Sequence, residues 1–145
     1  MQRMVSISVL LLAGCGGATD PTEQLAIDGD WSLTTNQIAS TCPVEGSVFP
    51  VAPGLTTIRG SDGAVDLSSA GEVITYAVDG RQWQRSRTVT VGECAGAISE
   101  TWLLHSAFGR RMSATFSMEV DVRGDCAAYG VQSCRIDYAV WGVQP

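Results

Sequence analysis

A long run of strict alternation, residues 112–122, constrains the fold of this chain more than any other feature. Every even position of the run is apolar and every odd position is polar. Successive side chains of a β-strand point to opposite faces, whereas an α-helix repeats its apolar face about every 3.6 residues. The run therefore predicts a strand with one buried face and one face in water.

The same period of two recurs along the chain, and no long stretch after Ile27 repeats at the helical period. Residues 135–141 place Ile136, Tyr138 and Val140 on one side of a second strand. The remaining predicted strands are residues 31–35, 55–59, 64–67, 73–78, 82–91 and 98–106.

Turn residues separate these segments. Asp62-Gly63 and Asp79-Gly80 favour tight hairpins because glycine readily adopts a positive φ. Short strands joined by short turns favour sequential antiparallel pairing. We therefore predict an all-β domain, an antiparallel up-and-down meander of about eight strands closed into a small barrel, since closure removes exposed edges. A β-sandwich is the alternative. The proline-rich connection, residues 38–54, is expected to lie over one end of the barrel.

Residues 1–14 have the pattern of a secretory signal peptide. A basic residue precedes an apolar run of roughly ten residues, half the length needed to span a bilayer. The segment Leu12-Ala13-Gly14-Cys15 resembles the lipobox of bacterial lipoproteins. The resemblance implies cleavage before Cys15, a diacylglyceryl group on its thiol and a further acyl chain, such as palmitate, on its new amino group.

The same resemblance divides the chain into three parts. Residues 1–14 would be the signal peptide, residues 15–25 a lipidated tether and residues 26–145 the β domain. The protein would then belong to the cell envelope, attached to a membrane through its lipid anchor, with the domain facing the periplasm or the exterior. Gly16 stands where an aspartate commonly retains Gram-negative lipoproteins at the inner membrane, which implies the outer membrane if the source is Gram-negative.

The other four cysteines are expected to form two disulfides, because their number is even and an exported protein meets an oxidising compartment. No pair has the close spacing of zinc ligands, so we predict no metal site. An up-and-down barrel would gather all four at one end. Pairing of Cys126 with Cys134 and of Cys42 with Cys94 is preferred, because the first two flank a turn symmetrically. The alternative joins Cys42 to Cys134 and Cys94 to Cys126.

Gly29-x-Trp31 resembles the motif that opens the first strand of lipocalin-like barrels. The resemblance implies that this tryptophan plugs one end of the barrel and that the interior carries a small apolar ligand. The chain has four tryptophans, which would either fill the core or line such a cavity. They are Trp31, Trp83, Trp102 and Trp141.

The net charge and the single histidine exclude two classes of function. The net charge is −6, and it becomes −7 if residues 1–14 are removed, which argues against a nucleic-acid partner. The single histidine, His105, points away from Ser106 on a strand, so we predict neither an enzyme nor a cofactor. Trp83, Arg85 and Arg87 share one strand face, which is either a solvated face with cation–π pairing or a site for an anionic partner.

These features predict a membrane-anchored lipoprotein with a non-catalytic binding or envelope-associated β domain. The alternatives are a lipocalin-like carrier of a small apolar ligand and an inhibitor of an extracellular or periplasmic enzyme. The first would need an open interior, and the second an exposed apolar or arginine-bearing patch for a protein partner.

Overall fold

The computed structural model describes residues 27–43, 49–51, 54–130 and 132–145. The predicted signal peptide, the lipid site Cys15 and the tether lie outside the described residues. In the described part of the chain, no helix is long and apolar enough to cross a membrane.

Eight antiparallel strands form a closed barrel in sequence order, with β8 hydrogen-bonded to β1. This confirms the all-β meander and the barrel. The strands are β1 (Gly29–Ser40), β2 (Leu55–Ser61), β3 (Ala64–Ser69), β4 (Glu72–Asp79), β5 (Gln82–Val91), β6 (Cys94–Phe108), β7 (Arg111–Arg123) and β8 (Cys134–Val143). One short 3-10 turn, Ala127–Tyr129, precedes β8.

The alternating run lies within β7 and builds one wall of the core. Met112, Ala114 and Phe116 are buried there, while the intervening side chains are partly exposed. The turns at Gly63 and Gly80 have φ values of 72° and 59°, which is the conformation that the Asp-Gly signals predict.

The strands differ in length, and this leaves one end of the barrel incomplete. β5, β6, β7, β8 and β1 are long, whereas β2, β3 and β4 are short. β1 pairs with β2 only over Gly29–Ser32. β4 pairs with β5 only from Ala77 to Asp79, and beyond these residues the two strands diverge. The long strands therefore extend past the short ones at the end where β1 finishes, which we call the disulfide end.

Both disulfides lie at that end, as the barrel topology predicts, but the preferred pairing is wrong. Cys42 is bonded to Cys134, and Cys94 to Cys126. Closure of the sheet decides the pairing, because antiparallel β1 and β8 bring the end of one beside the start of the other. Thr41 donates its backbone N–H to the Arg135 carbonyl at 2.8 Å, immediately next to the first bond.

The barrel interior is packed with aromatic side chains. Trp31 is fully buried near the opposite end, which we call the N-terminal end, and its indole N–H donates to the Ile27 carbonyl at 2.6 Å. The long connection contributes Phe49, whose ring centroid lies 5.3 Å from that of Trp102 and 5.2 Å from that of Phe116. The described part of this connection therefore reaches into the core, where Val51 is also buried.

Candidate functional site

The divergence of β4 and β5 opens a cleft of about 420 Å³ in the barrel wall. One side is formed by the start of β4, and the other by β5 with the floor supplied by β6. The lining residues are Pro50, Glu72, Val73, Ile74, Arg85, Arg87 and Glu100.

A buried carboxylate forms the floor of the cleft. The Glu100 side chain is only 3% exposed. It accepts a hydrogen bond from the Tyr76 hydroxyl at 2.8 Å and one from Arg87 Nε at 3.4 Å. Arg85 Nη1 lies 4.0 Å from Glu100 Oε2, the oxygen that also accepts from Tyr76. Burial of a carboxylate is costly without such partners, and the arginines and the tyrosine supply them.

Strand register explains why these residues meet. Trp83 lies directly opposite Trp102, and Arg85 directly opposite Glu100, in the β5–β6 ladder. Directly opposed residues point to the same face of a sheet, so the inward row of β5 continues from the tryptophan to the two arginines. The three residues therefore share the inward face of β5, as the sequence predicts. Trp83 lies in the core, and Arg85 and Arg87 line the cleft.

Sequence reasoning missed Glu100 and Tyr76. A signal for Glu100 existed, because it lies two residues before Trp102 and must share its face. Burial raises the pKa of the Tyr76 hydroxyl far above its ordinary value, and the negative charge of Glu100 adds to the shift. The tyrosine therefore remains a neutral donor.

The guanidinium groups retain unused hydrogen-bond donors. A guanidinium carries five N–H donors, and the described contacts of Arg85 and Arg87 occupy one nitrogen of each. Their side chains are 32% and 45% exposed, respectively. The cleft can therefore offer several charged donors to an anionic group, with Glu100 fixing their positions from below.

The outer edge of β5 borders this cleft. The Arg81 carbonyl accepts a hydrogen bond from Leu104 N, and Val91 pairs with Cys94 at the other end of the β5–β6 hairpin. Backbone hydrogen bonds to one neighbouring strand come from every second residue, so the odd-numbered residues of β5 direct their N–H and C=O groups towards β6. The even residues Ser86, Thr88 and Thr90 consequently direct N–H and C=O groups away from β6. Within the described ranges, no strand pairs with this edge beyond Gln84.

The four tryptophans do not share one environment. Trp31, Trp83 and Trp102 are buried in the core. Trp141 is 48% exposed, so its expected place in the core or in a cavity lining is wrong. Ile136, Tyr138 and Val140 point inward in β8, and alternation therefore turns Trp141 to the outer surface.

His105 lies on the exposed surface, where its Nε2 is 2.6 Å from Thr115 Oγ1. The neighbouring Ser106 instead contacts the hydroxyl of Ser113 at 2.7 Å. Among the described residues, no group of three or more histidine, cysteine, aspartate or glutamate side chains is placed to hold a metal ion.

Comparisons with known proteins found no matching family model, no matching curated protein and no matching solved structure.

Proposed function

We propose that this chain is a membrane-anchored bacterial lipoprotein, acylated at Cys15, whose β-barrel is a non-catalytic binding module for an extended acidic segment of a partner protein. One observation carries the proposal: the unpaired edge of β5 runs beside a cleft in which two arginines present charged donors. The partner would add to β5 as a further strand.

The edge supplies the backbone part of this recognition. Ser86, Thr88 and Thr90 offer alternating donors and acceptors in the geometry that an added strand requires. β5 from Ser86 to Val91 is exposed along its whole length. Long exposed edge strands are normally shortened, covered or interrupted because they pair with other chains, so an uninterrupted one is suited to binding.

The arginines supply the preference for an acidic segment. Side chains of an added strand alternate between the two faces, and those on the inner face would reach the cleft beside Arg85 and Arg87. A carboxylate there would accept charge-assisted hydrogen bonds from donors that Glu100 leaves unused. Of the three residues considered for an anionic partner, only Arg85 and Arg87 line the cleft, because Trp83 is buried in the core.

Packing favours this site over the barrel interior as the place of binding. Phe49, Trp102 and Phe116 occupy the interior at the level of the cleft floor. A carrier of a small apolar ligand would have to displace these rings. A partner strand at the β5 edge requires no such rearrangement.

The binding proposal is tested with a synthetic peptide of alternating valine and glutamate against the same peptide with glutamine. We expect the glutamate peptide to bind the mature protein at least about tenfold more tightly, the effect of one charge-assisted contact. Thr88→Pro removes an edge N–H that the β5–β6 ladder does not use and should abolish binding, whereas Thr88→Ala should retain it. Equal binding by the proline variant would refute strand addition.

The anchoring proposal has a separate test. Mass spectrometry of the mature protein from bacterial membranes should detect an acylated N-terminus at Cys15. Cys15→Ala should abolish acylation and release the protein from the membrane fraction. An unmodified N-terminus elsewhere in the wild-type chain would refute the lipid anchor.

A further inference from the structure

An exposed apolar patch lies on the outer surface of β6, β7 and β8 at the N-terminal end of the barrel. Phe108 at the β6–β7 turn is 91% exposed, and Trp141 and Val143 of β8 are about half exposed. Arg110 and Arg111 follow Phe108 in the same turn. We propose that this set of five residues, the turn patch, rests on the surface of an anionic lipid bilayer and orients the barrel on the membrane. The inference depends on the proposed lipid anchor.

Strand register makes the patch continuous. Phe108 pairs with Arg111, and Arg111 pairs with Val143, so the three side chains form one outward row across three strands. Trp141 pairs with Ser113 in the next outward row. The inward pair between these rows is Met112 and Gly142, whose buried positions fix the patch on the outer face.

The surrounding side chains leave the apolar groups protruding. Ser113 flanks Trp141 on β7, and Thr34 flanks it on β1. Ser32 flanks Val143 in the same way. These short hydroxyl side chains cannot cover the indole, and no described residue packs over Phe108. A cluster of large exposed apolar groups, unlike single ones, marks an interaction surface.

Aromatic and arginine side chains together fit the interface of a bilayer. Tryptophan is enriched where apolar chains meet headgroups, and arginine is attracted to the negative charge of anionic lipids. The carboxylates of this end lie elsewhere on the rim. Asp28 accepts from Gly60 N and Asp30 from Thr57 Oγ1, on the β1–β2 side. Asp62 lies in the β2–β3 turn and Asp79 ends β4, whereas the β6–β7 turn carries Arg110 and Arg111 and no carboxylate.

The position of the chain entry singles out a membrane as the occupant. The described chain enters the barrel at Ile27, at the same end as the turn patch. The chain from Cys15 to Ile27 reaches at most roughly 40 Å even when fully extended. Acyl groups on Cys15 would hold this end near the headgroups, where a high effective concentration allows even a weak contact to form. The disulfide end and the β5 edge would then face away from the bilayer, accessible to a partner.

The test uses acylated full-length mature protein in vesicles of equal parts phosphatidylcholine and phosphatidylglycerol. Lipids brominated near the headgroup quench tryptophans that enter the interface. The difference between wild type and Trp141→Phe isolates the emission of Trp141, because the other three tryptophans are buried. We expect strong quenching of this difference signal and its loss in the double variant with Phe108→Ser and Arg111→Gln. The matched control replaces Ile38, which is 58% exposed near the disulfide end of β1, by serine and Arg123 by glutamine, and it should preserve quenching.

Separate readouts distinguish the failure of the patch from the failure of the anchor. Protein that is acylated by mass spectrometry and floats with the vesicles, yet shows no quenching of Trp141, overturns the turn patch and leaves the anchor intact. A chain without acyl groups overturns both proposals. A dimer that Phe108→Ser dissociates, without lipid quenching, assigns the patch to a second copy and also overturns the inference.

Discussion

Tyr76 on β4 donates its hydroxyl to Glu100 on β6 at 2.8 Å, although β5 lies between these strands in the sheet. The hydrogen bond crosses the interior below the cleft. Because Glu100 also contacts Arg85 and Arg87 of β5, a single carboxylate connects both walls of the opening. The cleft is therefore stabilised by a polar network where the backbone ladder between β4 and β5 has ended.

The first prediction concerns this network. Glu100→Gln removes the charge that compensates the two arginines, and Tyr76→Phe removes a donor from a buried carboxylate. We expect each variant to lower the free energy of unfolding by about 1–3 kcal/mol. The double variant should cost clearly less than the sum, since both changes disrupt one contact. Urea unfolding of the four proteins measures the coupling, and strict additivity would contradict a shared network.

The second prediction concerns alkaline pH. The folded-state pKa of Tyr76 is raised, so above about pH 10 the native state holds a proton that the unfolded state releases. This contribution to stability is complete below that pH and is lost as the pH rises further, with a slope approaching about 1.4 kcal/mol per pH unit. Tyr76→Phe should abolish this part of the slope. The absence of lysine from the chain removes another group that titrates in this range. Unfolding midpoints across the range test the difference, and parallel curves would contradict it.

Much of the fold follows from local sequence patterns. The alternation in residues 112–122 fixes which side chains of β7 are buried, and the Asp-Gly turns fix neighbouring strand pairs. The pairing of Cys42 with Cys134 was only the alternative prediction, because it depends on closure between the first and last strands. The preferred pairing rested on a local feature, the symmetric placement of Cys126 and Cys134 about a turn, and the long-range contact between β1 and β8 decided the actual pairing.

The site was predictable only in part. Alternation placed Arg85 and Arg87 on one face of β5. Their exposure depends on where β4 and β5 separate, which follows from relative strand lengths. Sequence periodicity defines those lengths poorly, as the growth of the predicted strand 31–35 into Gly29–Ser40 illustrates. Trp141 was misplaced because its residue type suggested burial, while the alternation of its own strand indicated the outer face.

The third prediction compares the two disulfides. The Cys42–Cys134 bond closes a sequence separation of 92 residues, whereas Cys94–Cys126 closes 32. In the chain-entropy account, the longer loop contributes more, about 4–5 against 3–4 kcal/mol. Replacing both cysteines of the first bond by alanine should therefore cause the larger loss of stability. Chemical denaturation of the two double variants measures it, and peptide mapping without reductant should recover linked fragments containing Cys42 and Cys134. The reverse order of stability would show that native-state packing, rather than loop length, dominates.

The last prediction concerns Phe49, which joins the long connection to the core. Its ring makes edge contacts with Trp102, Phe116 and Tyr138 at centroid distances of 5.2–5.6 Å. Phe49→Ala would leave a cavity beside Trp102 and should lower the free energy of unfolding by about 3 kcal/mol. Phe108→Ala deletes the same side chain from an exposed turn and should leave stability unchanged.

Emission of tryptophan supplies a second measure of this change. Loss of the Phe49 ring should admit water to the face of Trp102 and shift the emission to longer wavelengths in the folded protein. The Phe108 variant should show no such shift in solution, because its side chain is remote from the packed interior. Equal stability and equal emission in the two variants would mean that the connection does not help to hold the core, and the cleft beside Pro50 would then be formed by the strands alone.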